Sequence, residues 1–245
     1  MLSDTSQRRF QKHSKAGKPM VLAETHPAVV EGRSLFTKSA NAGRGTGRVL
    51  ISGHNQRKLG RRVAKGRWTG FEIYTLTLEE RKTCPRTCTE WQSCYGNRMP
   101  WSIRHPSGEE LERKIGEELI ELQAKHPSGF VVRLHILGDF YSADYVRKWG
   151  DWLDQFPALH VFGYTARQGD DIAAALAELI TTRWDRFAIR SSGAVLENIP
   201  ASVVLDTKEQ ATHEIVCPVQ TEQTACCATC ALCWSTTKAI AFLRH

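Results

Sequence analysis

The sequence of 245 residues has no run of about 18 apolar residues, so we expect no segment of it to span a membrane. Its first residues, MLSDTSQRRFQKHSKAGKP, are basic but lack the apolar stretch of a secretory signal. It also contains no internal repeat and no low-complexity segment, which argues against a repeat architecture. Together these absences predict a globular cytoplasmic protein, in a compartment where thiols stay reduced.

Positive charge, by contrast, is in excess, with a net charge of +7 that is unevenly placed. Residues 7–18 carry five basic side chains, and the stretch RKLGRRVAKGR at 57–67 carries six without an acidic one. Basic clusters of this kind attract polyanions through phosphate contacts and the release of counterions. We therefore expect nucleic-acid binding through 7–18 and 57–67, with solvated surface charge as the alternative.

From about residue 70 the sequence alternates between strand and helix patterns. Strands are predicted at 71–78, 130–140, 160–167, 186–192, 201–206 and 213–218, and helices at 107–127, 142–157 and 170–184. Ser107 and Ser142 are the predicted N-caps of the first two helices. The alternation indicates an α/β fold with a parallel sheet and right-handed crossovers, and the strands fit a (β/α) partial barrel most easily.

The same pattern divides the chain into three parts. Residues 1–69 are predicted to form an irregular basic arm, and residues 70–212 the partial-barrel core with a three-cysteine loop. Residues 213–245 are predicted to form a C-terminal cysteine-rich segment that binds metal.

Polar residues follow the ends of several predicted strands. They are Cys84 and Cys88, then Gly138 and Asp139, then Thr165 and Arg167, then Ser191 and Ser192. Because parallel sheets and barrels bind ligands at the carboxyl ends of their strands, these residues predict an active site at that edge.

Five of the eight cysteines lie in the stretch CPVQTEQTACCATCALCW near the C-terminus. Cys227, Cys230 and Cys233 follow one another at intervals of three residues, and Cys217 completes a shell of four sulfurs. Four thiolates suit tetrahedral zinc or an iron–sulfur cluster. Cys226 is the expected spare, because adjacent cysteines rarely bind one ion together, and His245 is an alternative ligand.

The other three cysteines, Cys84, Cys88 and Cys94, lie in the loop TCPRTCTEWQSCYG. Three protein ligands leave one metal position open, which distinguishes catalytic from structural sites. A closed zinc site completed by His105 is one alternative, and a single site shared by both cysteine groups is another.

This loop resembles the opening of radical S-adenosylmethionine enzymes, in which three cysteines hold a four-iron cluster that binds the cofactor. The resemblance implies that Gly138 and Asp139, in HILGDFYS, stand where that family receives the amino group of the cofactor. It also implies cofactor contacts from Thr165 in GYTAR and from Ser191 in IRSSG, and an auxiliary cluster on the C-terminal cysteines. The second cysteine gap is five residues here and two in that family.

A closer resemblance, across roughly residues 70–245, is to the uncharacterised phage gene product 88 family. It rests on the TCP…C…CY loop, LHILGDFYSADYVRKW, FGYTAR, and the final CP…LCW…IAFLRH. The resemblance implies a bacteriophage or mobile-element origin, and hence the cytoplasm of a host, but no established activity.

The leading hypothesis is a radical S-adenosylmethionine-like enzyme with one or two four-iron clusters, an electron donor as partner, and nucleic acid as substrate. Asp139, Tyr141 and Arg167 are its expected catalytic residues, with Tyr164 and Arg190 as further candidates to line the pocket. One alternative is a zinc enzyme that exchanges bases, similar to guanine transglycosylases, with Asp139 or Asp206 as nucleophile. Another is a metal-braced nucleic-acid-binding protein without catalysis.

Overall fold

A computed structural model describes residues 20–39, 47–193, 196 and 198–244 of the protein. The predicted basic stretch 7–18 and the candidate ligand His245 lie outside these residues. None of the described helices is long and apolar enough to cross a bilayer.

Within the described residues the chain forms strands and helices that mostly alternate. The strands are β1 (Ile51–Ser52), β2 (Glu72–Thr75), β3 (Phe130–Leu134), β4 (Leu159–Thr165), β5 (Phe187–Ser192), β6 (Ala201–Leu205), β7 (Ile215–Val216) and β8 (Ile240–Leu243). The helices are α1 (Pro27–Val30), α2 (Glu80–Thr83), α3 (Glu109–Lys125), α4 (Ala143–Gln155), α5 (Asp171–Arg183), α6 (Cys227–Cys230) and α7 (Leu232–Ser235).

The strands form one eight-stranded sheet in the order β1-β2-β3-β4-β5-β6-β8-β7. β1 is antiparallel to β2, and every other neighbouring pair is parallel. The protein is therefore a mixed α/β fold with a mostly parallel sheet. The carboxyl ends of β2 to β5 meet at one edge of this sheet.

One face of the sheet is covered by the long helices α3, α4 and α5, because each has an apolar stripe. In α3 the apolar stripe is buried and packs with Val132 and Leu134 of β3 in one core; its residues are Leu111, Ile115, Leu119 and Leu122. Burial of each large aliphatic side chain contributes roughly 1.5–3 kcal/mol to stability. The Ser142 hydroxyl accepts a hydrogen bond from the Tyr145 amide at 3.1 Å, so the predicted cap of α4 is confirmed.

The opposite face of the sheet is covered by two segments, residues 59–68 and 217–234, the second of which includes α6 and most of α7. Val131, Phe162 and Ala188 alternate with the helix-facing residues of their strands and pack against these segments. Trp68 of the first segment stacks on Trp234 of the second, with ring centroids 5.5 Å apart. The C-terminal cysteines thus belong to a second layer on the sheet.

Some local predictions are wrong in detail. Ser107 does not cap α3; the N-cap is Gly108, whose φ of 130° suits glycine. The strand predicted at 130–140 ends at Leu134, and Ile136 packs in the core on the other side of the sheet from Val132. β1 and β8 were not predicted.

The described part of the predicted N-terminal arm packs on the three-cysteine loop. The Leu22 amide donates to the Gln92 carbonyl at 3.1 Å, and the Asn97 side-chain amide donates to the Met20 carbonyl at 2.7 Å. Leu22 and Val29 form a small apolar cluster against which Trp91 packs. Too few apolar residues are spaced regularly here for the sequence pattern to reveal this packing.

Candidate functional site

The three-cysteine loop follows β2 at the carboxyl edge of the sheet. The short helix α2 ends at Thr83, and its C-cap is Cys84, whose amide donates to the Glu80 carbonyl at 2.8 Å. Cys88 lies in a turn closed on the Pro85 carbonyl, and Cys94 precedes a single helical turn at Tyr95–Arg98. All three thiols are free and partly buried.

The thiols of this loop are close enough to perturb one another. Burial raises the pKa of Cys84 well above its ordinary value, and the charges of Asp139, Cys94 and Cys88 add to the rise. Burial likewise raises the pKa of Cys88, and raises that of Cys94 to about 11. Neutral thiols are therefore favoured here unless a cation lies among them.

Arg81 lies beneath the loop with part of its guanidinium unsatisfied. One terminal nitrogen donates to the Asn97 side chain at 2.7 Å, but Nε and Nη1 have no hydrogen-bond partner among the described residues. The positive charge of Arg81 lowers the pKa values of Cys88 and Cys94, which places the guanidinium near their sulfurs. Nη1 lies 3.7 Å from the buried carboxylate of Glu80, but Arg104 also binds that carboxylate at 2.7 Å, so two cations share one anion. The positive charge that is left, with its idle donors, suits thiolates or another anion.

Asp139 is 3% exposed and joins the ends of β3 and β4. Its Oδ2 accepts a hydrogen bond from the Ala166 amide at 2.7 Å. Its Oδ1 accepts from the Thr165 hydroxyl at 2.9 Å and from the Phe140 amide at 2.8 Å. Burial raises its pKa to about 6, while these donors oppose the rise, so the carboxylate is ionised at neutral pH.

Three further residues predicted for the site hold the strand ends together. Gly138 passes so close to the loop that a Cβ there would lie 2.6 Å from the Leu78 Cβ and from the Thr83 hydroxyl oxygen. Arg167 Nη2 donates to the Thr83 carbonyl at 2.6 Å, and its Nε donates to the Phe140 carbonyl at 2.8 Å. Together with Thr165, these residues tie β3 and β4 to the cysteine loop.

Two other predicted residues have different surroundings. The Tyr141 hydroxyl donates to Glu112 of α3 at 2.7 Å, and its ring stacks on Tyr145, so the side chain contacts the helix layer. Ser191 is fully buried, and its carbonyl accepts a hydrogen bond from the Ser202 hydroxyl at 3.0 Å. The structure thus joins Asp139 to Thr165 but directs Tyr141 elsewhere.

The C-terminal cysteines form a second set on the sheet face opposite the long helices. Burial raises the pKa of Cys227 well above its ordinary value, and the charges of Cys233, Cys217 and Cys230 contribute. Burial raises the pKa values of Cys230 and Cys233 as well. The cysteine charges that perturb each thiol come from its own set.

Cys226, the cysteine that the sequence singles out as the expected spare, packs beside Thr229 and Gly60. Its Sγ lies 3.6 Å from the Thr229 hydroxyl, and a Cβ on Gly60 would lie 2.8 Å from this sulfur. Cys226 therefore packs against the segment that covers the sheet.

Arg190 of β5 is a buried cation beside the second set, with an exposed fraction of 0%. Its guanidinium donates to the carbonyls of Thr236 at 2.7 Å and Cys233 at 3.3 Å, and to the carbonyl of Lys238. Among the described residues, no carboxylate forms an ion pair with it. The charges that favour its protonated form are those of Cys233 and Tyr164.

Other polar groups also surround these sulfurs. The Tyr164 hydroxyl donates to Cys233 Sγ at 2.9 Å, and Arg133 lies 4.6 Å from the Tyr164 ring centroid. The charge of Lys58 lowers the pKa of Cys227, and that of Lys65 lowers the pKa of Cys230. The surroundings of the four thiols are therefore electropositive. Sequence reasoning named Tyr164 and Arg190 as pocket residues but missed Arg81 and Arg133, because an isolated arginine resembles a surface charge.

Geometry alone does not define a metal site in the described part of the chain. No group of three or more His, Cys, Asp or Glu side chains there is arranged to hold a metal ion. The donor types and their charged surroundings suit a metal–thiolate centre, but the sulfurs would have to move closer together around an ion.

His105 and the basic stretch 57–67 have definite places. His105 is buried beside the start of α3, where Lys114 is the charge that perturbs it. Arg61 and Arg62 both pair with Glu72, and Arg67 donates to the Trp184 carbonyl at 2.8 Å. Part of the positive charge of the stretch is thus engaged within the protein.

The architecture and the strand-end residues define a mixed α/β protein with two sets of free thiols. The profile of the family described as Gene product 88 matches residues 49–174, just over half of the chain. The chain therefore belongs to this family of phage gene products, as the three-cysteine loop, LHILGDFYSADYVRKW and FGYTAR predicted; the final CP…LCW…IAFLRH motif lies outside the matched residues. The match runs from just before β1 into α5, so it includes the three-cysteine loop and Asp139. No curated protein and no solved structure matches the chain.

Proposed function

We propose that the protein is a metal-dependent enzyme in which Cys84, Cys88 and Cys94 hold an iron–sulfur cluster that leaves one iron open to S-adenosylmethionine. The observation that carries the proposal is the grouping of these three thiols beside Asp139, where parallel strands end. Ligands bind at such edges in parallel α/β folds. The idle donors of Arg81 fit the negative charge that thiolates and cluster would bring.

When bound, a four-iron cluster supplies the single electron that cleaves a carbon–sulfur bond of S-adenosylmethionine. The residues of the chain would hold the cluster and orient the cofactor. Asp139 has three of its acceptor positions occupied by Ala166, Thr165 and Phe140, which leaves one position on Oδ2 for the ammonium group of the cofactor. Arg167 fixes the loop through the Thr83 carbonyl, so the distance between Asp139 and the cysteines is held.

The fold is proposed to be a partial barrel. In support, β2 to β6 are neighbours in chain order, and the three long helices between them share one face of the sheet. Sequential order with all helices on one side is the winding of (β/α) barrels, whereas doubly wound sheets place helices on both faces.

The C-terminal thiols Cys217, Cys227, Cys230 and Cys233 are proposed to hold a second metal centre, either an iron–sulfur cluster or zinc. A centre with four thiolates carries net negative charge. Buried Arg190 carries a positive charge that no carboxylate among the described residues offsets, so the two charges would balance each other. The Tyr164 hydroxyl adds a hydrogen bond to one sulfur.

Nucleic acid is the proposed substrate, with an external electron donor as partner. The net charge of +7 and the exposed part of 57–67 support attraction of a polyanion.

The contribution of residues 7–18 is tested by deleting residues 1–19. We expect weaker binding of DNA or RNA and a smaller dependence on salt than in the full chain.

The direct test is an absorption spectrum with iron, sulfide and zinc analysis on anaerobically purified protein. Iron and sulfide, with a spectrum that changes when S-adenosylmethionine is added, would support the proposal. A colourless protein containing only zinc would refute it.

Serine variants assign the metal to each set. Substitution of Cys84, Cys88 and Cys94 together removes the cluster that responds to S-adenosylmethionine, and leaves the metal of the second set. Substitution of Cys217, Cys227, Cys230 and Cys233 removes the metal of the second set. Cys226→Ser is the matched control, because Cys226 lies near the second set but contacts Thr229. It retains all metal.

Asp139→Asn separates a functional from a structural role. The variant keeps its iron and sulfide but loses the spectral response to S-adenosylmethionine. The asparagine side chain would point its NH₂ group at one of the groups that now donate to Asp139. We expect this mismatch to lower the free energy of unfolding by about 1–3 kcal/mol. A variant that unfolds and loses iron together would make Asp139 structural and its placement in the active site wrong.

A second candidate is a nucleic-acid-binding protein that is braced by zinc and does not catalyse a reaction. The observation in its favour is that three internal hydrogen bonds already satisfy most of the Asp139 carboxylate. The base-exchange alternative has less support, because Asp206 is exposed and paired with Arg244. Zinc at both sets of cysteines would favour the second candidate.

A further inference from the structure

Trp101 is the most exposed large apolar side chain in the described part of the chain, with an exposed fraction of 92%. The other six tryptophans are buried or half-buried, as is usual for this side chain. A single exposed apolar residue is not by itself a site. The conformation of its loop and the charges around it decide whether Trp101 binds a partner.

The loop that carries Trp101 is fixed from within by Arg104, whose side chain is fully buried. The Arg104 guanidinium donates to the Ser102 carbonyl at 2.8 Å and to the Met99 carbonyl at 3.1 Å. The Ser102 amide closes a turn on the same Met99 carbonyl at 3.3 Å, which leaves Pro100 and Trp101 at the tip. Because this backbone is ordered before binding, little conformational entropy is lost when a ligand covers the ring.

The sequence around this turn is basic. Residues 91–108 contain Arg98 and Arg104 but no acidic residue, and Arg98 is exposed. The Arg104 amide donates to the Ser39 carbonyl at 2.9 Å, so the exposed side chain of Lys38 belongs to the segment that adjoins the turn. Positive charge therefore accompanies the exposed ring.

The basic N-terminal stretch joins the described structure at the same surface. The Asn97 side chain donates to the carbonyl of Met20, the first described residue, at 2.7 Å, so residues 7–18 are attached close to the turn. These residues carry five basic side chains and no acidic one. Their charge exceeds that of Glu109 and Glu110, the acids that follow the turn in the sequence. Charge complementarity therefore favours a polyanion here.

We infer that Trp101 stacks on an unpaired base of single-stranded nucleic acid. The phosphates of the strand contact Lys38, Arg98 and the basic stretch 7–18. A base has the flat face that one aromatic ring can cover, whereas a membrane surface requires a wider apolar face. The inference rests on the proposal that nucleic acid is the substrate, and it adds the form of the strand and the place where it binds. That place is the loop segment that also contributes Cys94 to the proposed cluster.

The inference is tested by fluorescence anisotropy with the full-length protein and labelled oligonucleotides of about 12 nucleotides. The probes are a single strand as DNA, the same sequence as RNA, and the duplex of each. We expect the single strands to bind more tightly than the duplexes, because a paired base is not free to stack on a protein side chain. The tighter of the two single strands identifies the ligand as DNA or RNA.

Substitutions of Trp101 separate stacking from charge. Trp101→Ala should weaken single-strand binding about tenfold and leave the dependence of the binding constant on salt unchanged. Trp101→Phe keeps an aromatic ring and should retain most of the affinity. Ile120→Ala is the matched control, because it also shortens an exposed apolar side chain, and it should bind like the parent. Circular dichroism checks that each variant keeps the parent fold.

Lys38→Gln tests the phosphate contact. It should lower the slope of log binding constant against log salt concentration by about 0.7, the value for one phosphate of a single strand. Lys125→Gln, at the far end of α3, should leave this slope unchanged.

Three outcomes would overturn the inference. If Trp101→Ala binds single strands as tightly as Ile120→Ala, stacking is wrong, although nucleic-acid binding through 57–67 would stand. If no oligonucleotide binds, the inference and the proposed substrate both fail. Binding to phosphatidylserine vesicles that depends on Trp101, without binding to oligonucleotides, would identify a membrane surface as the partner. The proposed cluster is judged separately, by iron and sulfide analysis.

Discussion

The hydroxyl of Tyr164, on β4, donates a hydrogen bond of 2.9 Å to the sulfur of Cys233, which lies 69 residues later in the sequence. This contact connects the central sheet directly to the C-terminal cysteine set. Arg190 strengthens the connection, because its guanidinium donates to the Cys233 and Thr236 carbonyls. The position of the cysteine segment is therefore fixed by two side chains of neighbouring parallel strands.

Tyr164→Phe removes the hydroxyl and keeps the ring. If the second set binds metal, the loss of this hydrogen bond should lower metal retention about tenfold, because groups that hydrogen-bond to metal ligands typically contribute that much. The measurement is the rate of metal release to a chelator. Tyr141→Phe, whose hydroxyl contacts Glu112 in the helix layer, is the matched control. Equal release from the two variants would count against the contact as a determinant of metal binding.

Arg190→Lys keeps the buried positive charge but loses the planar fork that reaches several carbonyls. We expect the free energy of unfolding to fall by about 2–3 kcal/mol, because the carbonyls of Cys233 and Thr236 lose a charged donor. Denaturant titration measures the change. The exposed pair of Arg183 with Asp154 provides the control, since Arg183→Lys should cost less than about 1 kcal/mol. A similar loss in both variants would mean that Arg190 does not anchor the segment.

The sequence predicted the regular parts of the fold because their signals are local. The apolar stripe of α3 recurs every three or four residues, and the cap at Ser142 depends on residues three apart. Both features are present. β8 was not predicted, because it joins the sheet between β6 and β7 by long-range pairing. A short apolar run such as IAFL does not reveal such a partner.

The candidate site was likewise predictable only in part. Cysteine spacing predicted two groups of thiols, because ligand spacing is a local signal, and the thiols within each group perturb one another's pKa values. The links between Asp139 and Thr165, and between Arg81 and the thiols, join residues distant in the sequence. Such links become visible only when the strand ends are assembled.

His135 predicts a specific dependence of stability on pH. It is fully buried, and burial lowers its pKa in the folded protein to about 3, well below the ordinary value of 6.5. Below pH 6.5 the unfolded chain therefore binds a proton that the folded protein excludes, so the free energy of unfolding decreases as the pH is lowered. Between pH 7 and pH 4 this group should cost about 3 kcal/mol.

His135→Leu removes this contribution and keeps a side chain of similar size. The variant also deprives the Tyr145 hydroxyl of a contact at 3.3 Å, but that loss is the same at each pH. The free energy of unfolding, measured from pH 7 to pH 4, should therefore fall less steeply in the variant than in the parent. Parallel curves would show that His135 does not contribute to acid sensitivity.

Gly138 offers the sharpest test of how the site is assembled, because a second glycine provides a matched control. Gly138 and Gly169 have φ values of 89° and 67°, so alanine is strained at both. Only at Gly138 would the new methyl group clash, at 2.6 Å from Leu78 Cβ and from the Thr83 hydroxyl. Nothing lies within 4 Å at Gly169. We expect Gly169→Ala to cost about 1 kcal/mol and Gly138→Ala about 1–3 kcal/mol more.

The clash at Gly138 also has a consequence for the loop, because the Thr83 hydroxyl accepts a hydrogen bond from the Asp139 amide at 3.2 Å. A methyl group at Gly138 would push α2, and Cys84 with it, away from the end of β3. Gly138→Ala should therefore lose metal from the first cysteine set, while Gly169→Ala retains it. Unfolding curves and metal analysis on both variants measure the two effects. If Gly138→Ala is no less stable than Gly169→Ala and retains its metal, close contact between the loop and β3 is not what positions Cys84 beside Asp139.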